Sequence, residues 1–343
     1  MNILLVVSES HGDGKTAISA TLAHYVATLG KTVTVVKPFG GTNELGENSD
    51  SHIFSSLIGS KKSDWPIKLP ETGLLDKQGQ PCQDLKDVKN DLTNISQNHD
   101  LVVVEISSKI PKFEQVKIAE FLEAKVLAVI RHKHGLKANT IKQQLNSFGQ
   151  NLSGILINAR TKHTSHEVQA SFIPELEDSD IKVFGTIPEE RKLLSVTVDQ
   201  VVEHLKGEYV LKVEERSGEL IENFLVGGWT MDDASLYFAT KDNKAVITRG
   251  DRPDLQMSAL STKTSCLIMT KGINPIEYVE YEAQEEGVSI VVVGKDTIST
   301  MESLDSIIDI AKFDHVEKLE RLHELIKSEV DSKALLEAIG IAS

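Results

Sequence analysis

The sequence predicts an α/β fold: a parallel-sheet domain built on a phosphate-binding loop, then a smaller three-layer α/β domain with a helical tail. Three observations predict it. An apolar run at residues 3–7 (ILLVV) leads into SESHGDGKT at 8–16 and then a helical pattern at 17–29. Short apolar runs alternate with helical patterns from there to about residue 205, the rhythm of a parallel sheet. After a charge-rich stretch at 206–218, the alternation restarts on a smaller scale. The expected domains are therefore 1–207 and 208–343.

The loop comes first in the chain. A strand, a Gly-bearing turn and a helix start are the context in which backbone N–H groups point at phosphates. Gly12 and Gly14 would shape the turn, Lys15 would reach the outer phosphates, and the Thr16 hydroxyl would ligate Mg²⁺. The pattern G-x-x-x-x-G-K-[ST] asks for Gly where this chain has Glu9. Ile18, Leu22, Val26 and Leu29 recur at helical spacing, with Gly30 at the helix end.

A second strand at 32–36 ends at Lys37 and the Gly40-Gly41 turn. Ligands of parallel sheets gather beyond the carboxyl ends of the strands, so Lys37 either faces the crevice of the loop or is a solvated strand-end charge. Residues 61–98 are polar and broken by prolines, and read as a lid-like insertion. The run 101–104 is a buried strand closed by Glu105, a carboxylate placed to hold Mg²⁺. Asp50 is either a second acidic contact or a helix cap. Further strands at 126–130 and 154–158 follow; Asn158 closes the latter, where its amide either reads a base or caps a turn.

Composition narrows the function. The 343 residues carry a formal charge of −14, which excludes a general nucleic-acid surface. No apolar run approaches the roughly 18 residues of a membrane span, and no signal peptide is evident. The two cysteines, Cys82 and Cys266, suit a reducing cytoplasm and neither a disulfide scaffold nor a zinc site. His132 with His134, and His163 with His166, read as surface residues.

In the second half, strands at 244–248, 266–270 and 289–293 each end in a small or charged turn and lead to helices near 254–260, 276–286 and 300–310. The tail sets Val316, Leu319, Leu322 and Ile326 at helical spacing, a stripe expected to pack on the domain or on a second subunit. A homo-oligomer is the expectation that follows.

The first 205 residues resemble the dethiobiotin-synthetase-like branch of P-loop proteins, which includes cobyrinate amidase-type ATP-binding domains. The resemblance rests on the loop at 8–16, KPFGG from Lys37, DSHIF from Asp50, VVVE ending at Glu105, GILINARTK around Asn158, and GTIPEERKLLSVTV from Gly185. It implies ATP and Mg²⁺ as cofactors and a carboxylate or carbamate to be phosphorylated. The implied roles fall on Lys15, Thr16, Lys37, Asp50 and Glu105, with Asn158 reading the base. Two departures are Glu9 and the run Ile106-Ser107-Ser108-Lys109, where dethiobiotin synthetases are Gly-rich.

The second half resembles the DRTGG domain, through Gly250-Asp251-Arg252-Pro253-Asp254, Thr270-Lys271-Gly272 with Pro275, and Asp296-Thr297. The resemblance implies an effector site at Asp251, Arg252, Asp254, Thr270 and Gly272; the alternative is an ion-pair network holding strand ends. The two-part order is similar to the N-terminal portion of long bacterial phosphotransacetylases, and acetyl transfer to phosphate is the one activity of that family not expected of this chain. Two functions follow as expectations. One is a nucleotide-binding regulatory protein acting on a partner enzyme such as a short phosphotransacetylase. The other is an ATP-dependent enzyme activating a small carboxylate or carbamate.

Overall fold

Unbroken runs of valine, leucine and isoleucine suit strands covered on both faces, and such runs form the first sheet. The computed structural model describes residues 2–39, 54–55, 57–59, 73–76, 78–228 and 234–341. The strands β1 (Ile3–Ser8), β2 (Val33–Val36), β3 (Leu101–Glu105), β4 (Lys125–Arg131), β5 (Leu152–Arg160) and β6 (Val183–Pro188) lie in the order β2-β3-β1-β4-β5-β6. Every pairing is parallel. β1 is central, with Val6 opposite Glu105 of β3 and Ser8 opposite Val129 of β4. The carboxyl ends of these strands therefore reach one rim.

Around this sheet lie α1 (Lys15–Thr28), α2 (Gln83–Ser96), α3 (Lys112–Leu122) and α4 (Ala138–Leu145). The polar 61–98 stretch is not all insertion. Its later part forms α2, which starts at a Cys82 cap and buries Leu85, Val88 and Leu92 in the core. His132 also differs from its expectation as a surface residue: it is 3% exposed and meets the Phe172 ring edge-on at 4.8 Å.

By internal contacts the chain divides into Met1–Glu190 with Phe313–Ser343, and Arg191–Lys312. The tail thus joins the first unit, not the second as its position in the chain suggested. The reason is packing. Helix Val316–Glu329 lies on α1 and β6 and buries Leu319, Leu322, Leu325 and Ile326. A Cβ on Gly185 of β6 would collide with the Glu329 carbonyl, so the chain approaches closest where no side chain stands. The last helix, Ser332–Ile339, covers β5 and β6 with Leu335, Leu336 and Ile339. Apart from the exposed Val316, the apolar stripe is covered within the chain, which removes it as a reason to expect a second copy.

The second unit holds β8 (Glu208–Leu211), β10 (Asn223–Val226), β11 (Lys244–Arg249), β12 (Thr264–Thr270) and β13 (Ser289–Val292), in the order β10-β11-β12-β13-β8. The pairings are parallel except β8, which runs antiparallel to β13. The charge-rich stretch is thus an edge strand. Short strands β7 (Val196–Thr197) and β9 (Leu220–Ile221) pair with each other. One face of the larger sheet is covered by α5 (Val198–Leu205) and α9 (Thr297–Leu304). The other is covered by α6 (Ala234–Phe238), α7 (Pro253–Leu260) and α8 (Glu277–Glu285), completing three layers.

Candidate functional site

β1 is buried along its whole length and delivers Ser8 to the rim, where the chain turns through Glu9–Gly14 into α1. Gly12 and Gly14 take φ of 85° and 95°, the left-handed region that favours glycine. Gly14 is the N-cap of α1, and no side chain caps that helix. The amides of its first turn therefore face the loop rather than a cap, the arrangement that attracts anions.

Inside the loop the polar groups hold one another. Lys15 is 8% exposed, and its Nζ donates to Ser8 Oγ at 2.6 Å. Ser8 Oγ donates to the Ser10 carbonyl at 2.8 Å, and the Ser10 amide donates to Asp13 Oδ2 at 2.8 Å. Burial pushes the Asp13 carboxyl up, opposed by the Ser10 amide and by Lys15. Asn158 Nδ2 donates to the Asp13 carbonyl at 2.9 Å, so this amide tethers the loop from β5. β5 continues to Arg160, and Asn158 is not its last residue.

Three elements meet at Glu105, which is 2% exposed. Its Oε1 accepts from Thr16 Oγ1 at 3.0 Å and pairs with Lys37 Nζ at 2.9 Å. Thr16 comes from α1, Lys37 from the end of β2 and Glu105 from the end of β3, and the parallel register makes them neighbours. A hydroxyl and a carboxylate are hard oxygen donors of the kind Mg²⁺ takes with water, so the residues fit that ion. Among the described residues no group of three or more His, Cys, Asp or Glu is placed to hold a metal. Asp50 and the Gly40-Gly41 turn lie outside the described residues.

Glu9 turns outward, and its Oε1 accepts from Gln144 Nε2 of α4 at 3.0 Å. Sequence reasoning missed the residue beside it. Lys112 opens α3 directly after Pro111, and its Nζ lies 4.9 Å over the Phe148 ring. Burial pushes its pKa down to about 8, with Glu9 pulling it up and Lys15 adding to the fall. One signal was available: a lysine in the first turn opposes the helix dipole, where acids are favoured.

The second unit gathers its motif at the strand ends. Arg249 pairs with Asp251, and Arg252 holds Asp254 in a fork of 2.9 and 2.7 Å. These pairs hold the Asp251 and Asp254 carboxyls below their usual range, the hydrogen bond from the arginine leading in each case. Thr270 Oγ1 lies 3.0 Å from Thr297 Oγ1. Lys271 and Gly272 both take positive φ, and their amides donate to the Lys295 and Val293 carbonyls at 2.8 and 2.9 Å. Thr270 and Gly272 thus meet the segment that follows β13, while the arginine–aspartate pairs form around the β11 end.

A family model described as an AAA domain matches residues 2–197, and one described as a DRTGG domain matches residues 200–307. Among solved structures, cobyrinic acid a,c-diamide synthase from Mycobacterium smegmatis, with a bound ATP analog and magnesium, is similar at 14% identity and TM-score 0.36. That match covers 56% of this chain and 88% of the other. The MinC:MinD cell division complex of Aquifex aeolicus is similar at 21% identity and TM-score 0.37, over 57% and 84%. The CBS and DRTGG domains of the regulatory region of Clostridium perfringens pyrophosphatase, complexed with the activator diadenosine tetraphosphate, match at 16% and TM-score 0.30, over 48% and 85%.

Proposed function

The chain belongs to the AAA domain family, and from that membership we propose a nucleotide-binding regulatory protein whose first unit holds ATP with Mg²⁺. The observation that carries the proposal is the meeting of Thr16, Lys37 and Glu105 beside a loop whose Lys15 is already at the rim. Lys15 and the loop amides would hold the outer phosphates, and Thr16 and Glu105 would hold the ion, which supplies charge neutralisation between phosphate oxygens. Asn158 would fix the loop's shape from β5 and present the rest of its amide to the base.

The DRTGG domain would take an anionic effector at Arg252 and at the turn of Thr270 and Gly272. A regulatory role is favoured by Glu9, whose carboxylate stands where phosphate-binding loops place glycine. A partner enzyme such as a short phosphotransacetylase belongs to the same reading. Self-association belongs to it as well, on a surface other than the covered tail stripe. No helix among the described residues is long and apolar enough to cross a membrane.

A second reading has its own support. Lys37 pairs with Glu105, and from there a cation could stabilise charge on a transferred phosphoryl group. On that reading the protein activates a small carboxylate or carbamate. Calorimetric titration of Mg-ATP into wild type and Lys15→Ala tests the site: wild type binds and the variant loses about tenfold or more in affinity. Absence of binding by wild type overturns both readings. ADP release stimulated by one metabolite selects the enzyme, and binding without turnover selects the regulator.

A further inference from the structure

We propose that Lys112 is a phosphate-contacting residue of the nucleotide site, reserved for the terminal phosphoryl group and reaching it from the helix that follows β3. This role rests on nucleotide binding at the loop. Three observations carry it.

The first is an ammonium held against a ring rather than an anion. Lys112 is partly buried, and among the described residues the close contact of its Nζ is the face of Phe148. Holding a cation away from water without an opposite charge in contact is costly, so the site gains when an anion arrives. The second is position. Lys112 lines a cavity of about 10 Å³ with Ser8, Glu9 and Gln144, a space of the order of one water. Ser8 is the residue whose hydroxyl holds the Lys15 ammonium, so the two lysines approach the same stretch of loop. The third is charge. Lys15 and Lys112 repel one another across that stretch. Glu9, the carboxylate acting on Lys112, is exposed and already accepts from Gln144.

An anion entering beside Lys15 relieves the repulsion and gives Lys112 an opposite charge. The terminal phosphoryl group of a nucleoside triphosphate brings the most charge to that end, so Lys112 separates triphosphate from diphosphate. Asn158 comes from β5 and bonds the Asp13 carbonyl, so this hold on the loop does not run through Lys112.

The test is calorimetric titration of Mg-ATP and Mg-ADP into the full chain, as wild type, Lys112→Met and Lys112→Arg. The Met variant is expected to lose about tenfold in ATP affinity and less than about threefold for ADP, while Arg preserves the preference. Lys112→Gln carries the same expectation and serves if the Met variant does not fold. Unchanged affinity for both nucleotides in a folded variant overturns the role of Lys112 and leaves nucleotide binding standing. Equal losses for both nucleotides overturn its selectivity. Failure of wild type to bind either nucleotide overturns the site as well.

Discussion

Asn158 stands directly over Gly14: its Nδ2 bonds the Asp13 carbonyl at 2.9 Å, and a Cβ on Gly14 would run into that same nitrogen. Gly14 therefore answers two demands, a φ of 95° and the close passage of an amide from β5. Gly14→Ala is expected to cost about 2 kcal/mol, from left-handed strain together with the displaced amide. The double variant Gly14→Ala/Asn158→Ala should recover the steric share and leave the strain. Thermal unfolding of the variants reads the coupling, and strict additivity would show that the collision is not felt.

The Lys37–Glu105 pair predicts a metal-dependent rescue. Removing Lys37 leaves a 2%-exposed carboxylate without its ammonium, and breaking a buried pair from one side typically costs about 3–5 kcal/mol. Lys37 is itself partly exposed, which moderates that figure. Lys37→Ala should therefore unfold at lower temperature than wild type. Millimolar Mg²⁺ should restore more stability to the variant than to wild type, because the ion supplies positive charge at the same oxygen. Scanning calorimetry with and without Mg²⁺ checks this, and equal shifts for both proteins would remove Glu105 from the ion site.

Particular residues show what the sequence could reveal. β1 and β3 were legible because Ile3 to Val7 and Leu101 to Val104 run without a polar alternate, the mark of strands buried on both faces. Lys15, Thr16, Lys37 and Glu105 were legible because each ends a strand or opens a helix, and parallel register brings such positions to one rim. β8 and β10 were harder, being four residues long beside charged turns. The tail showed its apolar stripe but not its partner, since periodicity says that a face needs covering and not by what. Lys112 carries no spacing at all; its place depends on α3 and on a Phe148 that is distant in sequence.

The tail predicts a contrast between two positions of one stripe. Leu322 is 1% exposed against the first unit, whereas Val316 is 53% exposed. Leu322→Ala should cost about 2–5 kcal/mol, and Val316→Ala should stay within about 0.5 kcal/mol. Unfolding midpoints of the variants decide it. A Leu322 variant as stable as wild type would mean that the helix is not held on α1.

Glu9 predicts a gain of affinity on loss of a charge. Its carboxylate is exposed on the loop proposed to take the phosphates, and it is held outward by Gln144. Glu9→Gln keeps the side-chain volume and removes the repulsion, and should tighten Mg-ATP by about two- to fivefold, the scale of an exposed charge pair. The same change takes away the charge that raises the Lys112 pKa. Titration calorimetry reads the change, and weaker binding would show that Glu9 orders the loop more than it repels the ligand.

Lys112 predicts a pH profile with a definite sign. Its pKa in the folded chain is pushed down to about 8 from 10.5, chiefly by burial, with Glu9 opposing and Lys15 assisting the fall. The unfolded chain then binds more protons between those values, so the penalty from this group is full below pH 8 and lifts as pH rises toward 10.5. Lys318 acts in the same direction, also pushed down to about 8 by burial. Ligand affinity runs the other way. A phosphoryl group needs the ammonium form, so Mg-ATP affinity should fall between about pH 7 and 9, where the ligand's own terminal phosphate is already ionised. Lys112→Arg stays charged throughout this range and should show a much flatter profile. Matching slopes in wild type and Lys112→Arg would place the titrating group elsewhere on the loop.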